Sequence, residues 1–279
     1  MVFQDPRKIL TLKSKHVKRP HLYEGTTKTL FNDTYEDTLI LCFNDTSLIS
    51  HNNKNIPHQK AANTELSKSL VPGKGIINNR ISELFFTRLA DINIENHFVD
   101  RLNMREQRVK SASPLPFKIT IHNVARGDFV KRMNLTEGLH LQMPIIEFSH
   151  KLDNGSPSIL SEQHIESFSL ASKDEVSEIY EISNRVNDFM RGQSLSVGLQ
   201  LDYFSLEFGQ YFSGDFFEVD SSLILIDELS PDTMHFTDIG SQKCLSGTTN
   251  DKAVYEDIAN RFQVLKNGGP EDLKQKKDS

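Results

Sequence analysis

Short apolar runs rich in β-branched and aromatic residues recur along the chain, and glycine or polar turns separate most of them. Runs of this length and composition are typical of β-strands. Strands that follow one another directly in sequence favour antiparallel pairing over a doubly wound parallel sheet. The chain is therefore predicted to be an α+β protein with antiparallel sheets. The clearest strand candidates lie at residues 22–31 (two strands around a glycine turn), 38–43, 117–122, 145–148, 201–208 and 223–227.

Helical periodicity is confined to a few segments. Ser172 and Glu175 form a capping box, in which each side chain can satisfy a free backbone N–H of the other residue. The helix that they open is predicted to end at Gly192, since glycine commonly terminates helices. A second helix follows the glycine-rich segment at 72–75, and a third lies near the C-terminus. Their apolar positions recur at helical spacing: Ile77, Ile81, Phe85 and Leu89, then Val254, Ile258 and Phe262.

The chain of 279 residues is long enough for one large domain or two modest ones. A Ser- and Pro-rich break at residues 111–116 sets the predicted boundary, with an N-terminal lobe at 1–112 and a C-terminal lobe at 113–279. Residues 50–69 are polar with little periodicity, which predicts a long loop. Whether the chain is a monomer or a homo-oligomer stays open.

Net charge and apolar patterning exclude two classes of partner. A formal charge of −6 argues against a non-specific nucleic-acid binder, which needs a basic surface. No apolar run approaches the ~20 residues that a membrane helix needs, so no membrane partner is expected. The N-terminus lacks the apolar segment of a signal peptide, and the two cysteines suggest no disulfide framework. The cytoplasm is the expected location.

A glycine turn near the N-terminus is the first candidate site. Gly25 lies between two predicted strands, and Lys28 follows it closely. Such a turn lets backbone N–H groups approach a phosphate, to which the lysine would add positive charge. An ordinary hairpin turn with a solvent-exposed lysine is the alternative, and glycine turns of that kind are common in hairpins.

Two carboxylates at the ends of apolar strands form the second candidate site. Glu207 and Asp227 would face one cleft if their strands pair, and hard oxygen ligands of this kind suit Mg²⁺ carrying nucleotide phosphates. Carboxylates solvated at the rim of a sheet are the alternative. Asp227 also opens an acid-rich turn at 227–233, and loops at strand ends often carry function.

Four blocks of sequence together carry a family resemblance. They lie at residues 73–83, 101–110, 206–209 and 227–233, in matching order and spacing from about residue 22 to residue 265. In these blocks the chain resembles the SAICAR synthetases of purine biosynthesis. The resemblance implies a two-lobed fold with antiparallel sheets and ATP bound between the lobes.

The resemblance also implies an activity. SAICAR synthetases use ATP and Mg²⁺ to activate the carboxylate of an aminoimidazole ribotide, with an acyl phosphate as the expected intermediate. The amine of aspartate then attacks to form an amide. The matching positions imply catalytic roles for Asp232, Lys74 and Asp45, nucleotide contacts for Gly25 and Lys28, and metal contacts for Glu207 and Asp227. The expected substrate-binding residues are Ser47, Arg126, His122, Ser230 and His235.

The positions expected to bind the acceptor depart from the family pattern. An arginine of the family is His122 here, and a serine is Asp128. Arginine binds phosphate through two parallel charged hydrogen bonds that histidine cannot make. Arg126 is new in this chain and could occupy the space left beside His122. Lysines of the family are replaced at Thr26 and Ser205, and a second arginine is replaced at His235.

Three hypotheses follow from this mixture of retained and altered positions. The first is an active SAICAR synthetase with a rearranged phosphate pocket, and the retained Lys28, Glu207, Asp227 and Asp232 favour it. The second is a related ligase that uses ATP but a different acceptor. The third is a non-catalytic member that acts by binding. The first accounts for the largest part of the sequence.

Overall fold

The structure, a computed structural model, describes residues 21–25, 27–50, 66–151, 158–213, 220–247 and 251–265. Within these ranges the sheets are built from antiparallel pairs, and helices cover part of them, so the predicted α+β class is confirmed. No helix in the described part of the chain is long and apolar enough to span a membrane. The helices are α1 (Lys74–Asp91), α2 (Gly127–Met133), α3 (Glu162–Ser167), α4 (Lys173–Ser196) and α5 (Lys252–Arg261).

The first sheet has five strands in the order β1-β2-β3-β7-β6. The predicted pair of strands around Gly25 and the predicted strand at 38–43 are both present in it. A separate two-stranded sheet pairs β4 with β5. The strands are β1 (His21–Glu24), β2 (Lys28–Asn32), β3 (Thr38–Phe43), β4 (Thr46–Ser50), β5 (Leu66–Leu70), β6 (Phe98–Arg101) and β7 (Glu106–Lys110).

The second sheet has eight strands, with the path β11-β10-β9-β12-β14-β15 and with β8 and β13 also paired to β12. The long strand β12 pairs with β9 and β14 over its first part and with β13 and β8 over its second part. Strand β12 therefore runs through both parts of this sheet. The strands are β8 (Ser113–Pro114), β9 (Phe117–Val124), β10 (His140–His150), β11 (Ser158–Leu160), β12 (Leu199–Ser213), β13 (Asp220–Ile226), β14 (Met234–Asp238) and β15 (Cys244–Ser246).

One continuous hydrophobic core covers the larger sheet. It combines the inward side chains of β9 and β12 with the apolar faces of α1, α4 and α5. Burial of these faces supplies the main driving force for folding, since apolar area removed from water stabilises in proportion to its extent. By its position in the sequence, helix α1 belongs to the predicted N-terminal lobe, but it packs in this core. The lobe boundary at 112/113 stays a prediction.

The predicted end of α4 at Gly192 is wrong. The capping box of Ser172 and Glu175 does open the helix, but the helix continues to Ser196. Ser194 is fully buried, and its hydroxyl donates to the carbonyl of Met190 at 2.7 Å. The chain leaves the helix at Gly198, which has a φ of 75°. Packing of the last turn against the core therefore overrides the local preference of Gly192.

The predicted polar loop at 50–69 is also partly wrong. Residues 66–70 form β5, which pairs antiparallel with β4 from Thr46↔Leu70 to Ser50↔Leu66. The alternation of leucine, serine and lysine in this short segment has the period of a strand. Its polar composition hid that period in the sequence. Residues 51–65 lie outside the described residues.

Candidate active site

Lys28 lies at the start of β2 and forms ion pairs across the two sheets. Its ammonium contacts the carboxylate of Asp227 and lies 2.8 Å from that of Glu228. Burial opposes the charge on Lys28, but the two carboxylates outweigh this cost and raise its pKa above the ordinary value. Burial likewise opposes the charge on Asp227, and Lys28 holds its pKa below the ordinary range. Lys28 and Asp227 therefore stay charged at neutral pH.

Gly25 allows the tight turn that precedes Lys28. The N–H of Gly25 donates to the carbonyl of Lys28 at 2.8 Å. A Cβ atom at position 25 would lie 3.1 Å from that same carbonyl oxygen and 3.2 Å from the ring of Tyr23. A side chain would crowd the turn, so glycine suits this position. Thr26 lies outside the described residues.

Glu207 and Asp227 lie on paired strands, as the strand pattern predicted. Strand β12 pairs with β13 through Glu207↔Ile226, and Asp227 follows directly with a φ of 70°. Lys151 lies 2.6 Å from Glu207. Burial and the nearby charge of Asp227 raise the pKa of Glu207, and Lys151 offsets part of that rise. Lys151 directly follows β10 and carries no local sequence signal for this contact.

Asp232 is held by three donors from two helices. One carboxylate oxygen lies 2.8 Å from the ammonium of Lys74 and accepts from Asn78 at 2.8 Å. The other oxygen accepts from the hydroxyl of Tyr255 at 2.5 Å. The Lys74 side chain is fully buried and also donates to the carbonyl of Thr46 at 2.8 Å. The structure therefore brings the predicted Asp232 and Lys74 together.

Asp45 lies at the N-terminus of α1. Its carboxylate accepts from the N–H groups of Gly73 at 3.2 Å and Gly75 at 2.9 Å. Arg105 donates to both oxygens at 2.8 and 2.7 Å. An anion is favoured at a helix N-terminus because free N–H groups converge there. Burial opposes the charge, but Arg105 and the two N–H groups outweigh it and lower the pKa of Asp45 to about 2.

The low pKa of Asp45 predicts a pH-dependent contribution to stability. Because the folded pKa lies below the unfolded value of about 4, this contribution is complete above that value and is lost as the pH falls toward about 2. The unfolding free energy of Asp45→Asn should thus fall less steeply than that of the wild type between these pH values. Urea titrations at stepped pH measure this difference.

A matched control for that experiment is Asp188→Asn, whose side chain is exposed in the middle of α4. This variant removes the same charge without removing a helix-terminal contact, so it should retain the steep dependence of the wild type. Equal slopes for the wild type and Asp45→Asn would contradict the assignment of Asp45 to the α1 terminus.

Ser230 and Ser47 are buried next to the acidic turn. The Ser230 hydroxyl donates to Glu228 at 2.5 Å and accepts from the N–H of Asp232 at 3.1 Å. Ser47 hydrogen-bonds to the hydroxyl of Tyr255. Both hydroxyls therefore fix the groups around Asp232. Both hydroxyls are already used in contacts within the protein.

His122 is buried in a cluster of its own. Its Nε2 lies 3.1 Å from Glu147, and its ring stacks on Phe129 with centroids 4.3 Å apart. Arg132 donates to both oxygens of Glu147 at 3.0 and 2.6 Å. Burial opposes the charge of Glu147, but His122 and Arg132 lower its pKa to about 2. The cation of Arg132 is thus already balanced.

Arg126 does not occupy the space beside His122 in this structure. Its guanidinium donates to the buried carboxylate of Asp202 at 3.1 Å and to the hydroxyl of Thr237 at 2.9 Å. The Nδ1 atom of His235 lies 3.0 Å from the same Asp202 oxygen. Asp202 therefore joins the predicted Arg126 and His235 in one cluster. Asp202 was not among the predicted site residues, since an aspartate within a strand carries no local signal.

Tyr203 connects the two histidine clusters across the sheet. Strand register places it opposite His122 on β9 and His235 on β14. Its ring stacks on His235 at 4.8 Å and lies 5.7 Å from His122. The three rings thus form a row on one face of the sheet. This face is the floor of the candidate site.

A cavity of about 290 Å³ opens on this face and includes Tyr203 of the row in its lining. It brings together Glu207, Asp227 and Asp232, which are far apart in sequence. A larger depression of about 400 Å³ lies elsewhere, beside β10, β11 and α4, and shares none of these three carboxylates. The smaller cavity is therefore the better candidate. Its walls are Lys118, Tyr203, Ser205, Glu207, Asp227, Asp232, Thr233, Met234 and Ser246.

Comparison with known proteins finds relatives over most of the chain. The family model for SAICAR synthetase matches residues 21–269. The phosphoribosylaminoimidazole-succinocarboxamide synthase of Dinoroseobacter shibae is 36% identical over 260 residues, which cover 91% of this chain and 96% of that protein. The synthase 1 of Agrobacterium fabrum is 36% identical over 259 residues, or 91% of this chain and 95% of that protein.

Solved structures show the same likeness. The crystal structure of the Ehrlichia chaffeensis synthase superposes with a TM-score of 0.77 at 33% identity, covering 88% of this chain and 100% of that chain. A SAICAR synthetase (Type-2) in complex with ADP gives a TM-score of 0.73 at 28% identity, covering 86% and 96%. Because the family model and these relatives span nearly the whole chain, the chain belongs to the SAICAR synthetase family.

Proposed function

We propose that this protein is an ATP-dependent carbon–nitrogen ligase that joins aspartate to carboxyaminoimidazole ribotide to give SAICAR. The single observation that carries the proposal is the cavity where Glu207, Asp227 and Asp232 meet. These carboxylates come with the paired lysines Lys28 and Lys74. Family membership supplies the reaction, and the cavity supplies a place where charged substrates can be oriented.

The nucleotide phosphates are proposed to bind beside the Gly25 turn. Lys28 is charged and lies at the end of this turn, where its ammonium can act as a point charge for a polyphosphate. The ADP complex of a structural relative supports nucleotide binding by this fold. In our proposal Lys28 exchanges part of its contact with Asp227 and Glu228 for phosphate oxygens.

The residues present fit a magnesium ion shared with the nucleotide. Among the described residues no group of three or more His, Cys, Asp or Glu side chains could hold a metal by itself. Mg²⁺ is usually bound by one or two carboxylates together with substrate phosphates, which matches Glu207 and Asp227. When bound there, Mg²⁺ would neutralise charge on the transferring phosphoryl group.

Asp232 is proposed to bind the amino group of the incoming aspartate. Three donors fix its carboxylate, and the residue lines the cavity. Lys74 orients it, and Asp45 positions Lys74 by holding the first turn of α1. Orientation of this kind contributes much of the rate in ligation, since it converts an encounter into a reaction between held groups.

The ribotide is proposed to lie over the row formed by His122, Tyr203 and His235. In our proposal Arg126 supports this row through Asp202, which also contacts His235. Ser230 and Ser47 contribute by fixing the groups around Asp232. The cation of Arg126 is balanced by Asp202, so phosphate would be bound here by a less cationic surface than a pair of free arginines would offer. We therefore expect a higher KM for the ribotide than an arginine-lined pocket would give.

The test is product formation by the purified protein with carboxyaminoimidazole ribotide, aspartate and Mg·ATP. We expect SAICAR, ADP and phosphate in equal amounts, because one nucleotide is consumed for each amide formed. Omission of the ribotide or of aspartate should stop SAICAR formation.

Two other outcomes would contradict this proposal. Turnover with a different carboxylate but not with the ribotide would indicate a ligase of other specificity. Nucleotide binding measured by calorimetry without any turnover would indicate a binding protein. The denatured protein and the chain with Mg·ADP in place of Mg·ATP serve as controls for the assay.

A further inference from the structure

Lys118 extends from β9 into the cavity. The side chains of β9 alternate from Phe117 to Ile121, so Phe117, Ile119 and Ile121 are fully buried in the core while Lys118 lies on the other face. That face is the cavity floor, and Lys118 is one of its lining residues. Its side chain is half-buried. A lysine on the wall of a small polar cavity is accessible to a ligand.

Lys118 is the lysine that lines the cavity. It has no carboxylate partner among the residues that the structure describes. The neighbouring lysines are all paired: Lys28 with Asp227 and Glu228, Lys74 with Asp232, and Lys151 with Glu207. Strand register pairs Ser205 with Thr120 and Leu206 with Ile119, and Lys118 is the residue before Ile119 on β9. Glu207 already has Lys151 at 2.6 Å. The charge of Lys118 is therefore available to an anion.

Lys118 lies near a position where the resembling family has a lysine and this chain does not. Where the resembling family block has a lysine, this chain has Ser205, whose hydroxyl lies 3.3 Å from that of Thr120. Lys118 is two residues from Thr120 on the same face and is thus a diagonal neighbour of Ser205. Diagonal neighbours on paired strands are within reach of long side chains. A lysine at 118 can therefore place its ammonium over the same part of the floor.

We propose that Lys118 binds the carboxylate of the acceptor substrate and replaces the lysine that is absent at position 205. This inference rests on the proposed function and names one binding residue for it. Lys118 shares the cavity with the carboxylates proposed to hold Mg²⁺, so its ammonium and that ion attract the same anionic reactants. An acceptor carboxylate held between them would face the nucleotide phosphates.

The decisive experiment moves the charge from one strand to the other. Lys118→Ser should lower kcat/KM for the ribotide about 10- to 100-fold, since a charged hydrogen bond is lost. The double variant with Lys118→Ser and Ser205→Lys should recover most of this loss. The KM for ATP should stay within about twofold of the wild type in both variants, because the nucleotide phosphates have their own contacts.

The matched control is Lys173→Ser, which removes an exposed lysine from the first turn of α4. It should leave the kinetic constants unchanged. Thermal unfolding of each variant identifies misfolding, and Lys118→Arg provides a variant that retains the charge. Titration calorimetry of the ribotide into each variant, with Mg·ADP present, measures affinity independently of turnover.

The outcomes separate the two proposals. Recovery by the double variant together with restored ribotide affinity supports the assignment of Lys118. Wild-type turnover with an unchanged Lys118→Ser overturns it and leaves the ligase proposal standing. A rise in the KM for ATP in place of the ribotide would assign Lys118 to the nucleotide and also overturns it. A wild-type protein that neither binds nor converts the ribotide overturns both proposals.

Discussion

Replacing Asp227 by asparagine should reduce kcat about 10²- to 10³-fold while the protein remains folded. The substitution keeps the shape of the side chain and removes its negative charge. Asparagine tolerates the left-handed backbone conformation that Asp227 adopts, with a φ of 70°. Lys28 retains Glu228 as a partner at 2.8 Å. The loss should therefore fall on catalysis more than on stability.

Steady-state kinetics at several Mg²⁺ concentrations measure this effect. If Asp227 holds the metal, the concentration of Mg²⁺ needed for half-maximal rate should rise in Asp227→Asn. Asp174→Asn, which removes an exposed carboxylate from the first turn of α4, is a suitable control and should behave as the wild type. Retention of more than about a tenth of wild-type kcat would contradict the proposed role of Asp227.

Replacing Lys74 by methionine should destabilise the protein by about 3–5 kcal/mol, the usual effect of removing one partner of a buried ion pair. The Lys74 side chain is fully buried, and its loss leaves Asp232 without its counter-charge at 2.8 Å. In a protein of this size we expect Tm to fall by roughly 5–9 °C. Activity should be lost as well, because Asp232 loses its orientation.

Differential scanning calorimetry and urea titration measure the stability of this variant. Lys252→Met is a matched control, because Lys252 is 55% exposed and its pair with Glu256 lies on the helix surface. That control should change stability by less than about 1 kcal/mol. The double variant with Lys74→Met and Asp232→Asn should be less destabilised than the sum of the two single variants. Strict additivity would show that the pair is not coupled.

The sequence predicted the elements that have a strong local signal. The strands at 38–43 and 117–122, the apolar face of α1 and the capping box of α4 all follow from periodicity and local hydrogen bonding. These signals depend on residues within one or two turns of each other. The end of α4 was predicted wrongly, because packing overrode the local composition. Strand β5 was predicted as part of a loop, because strand pairing overrode the local composition there.

The sequence alone also determined the family, through blocks in a fixed order, and identified Lys28, Glu207, Asp227, Asp232 and Lys74 as candidates. Only the tertiary structure decided which of these meet and which charges remain available. Lys28 and Asp227 are 199 residues apart, and Asn78 and Asp232 are 154 apart. Strand register and burial bring such pairs together, and neither is encoded in the spacing along the chain. In the folded chain Arg126 forms an ion pair with Asp202, and Lys118 has no carboxylate partner among the described residues.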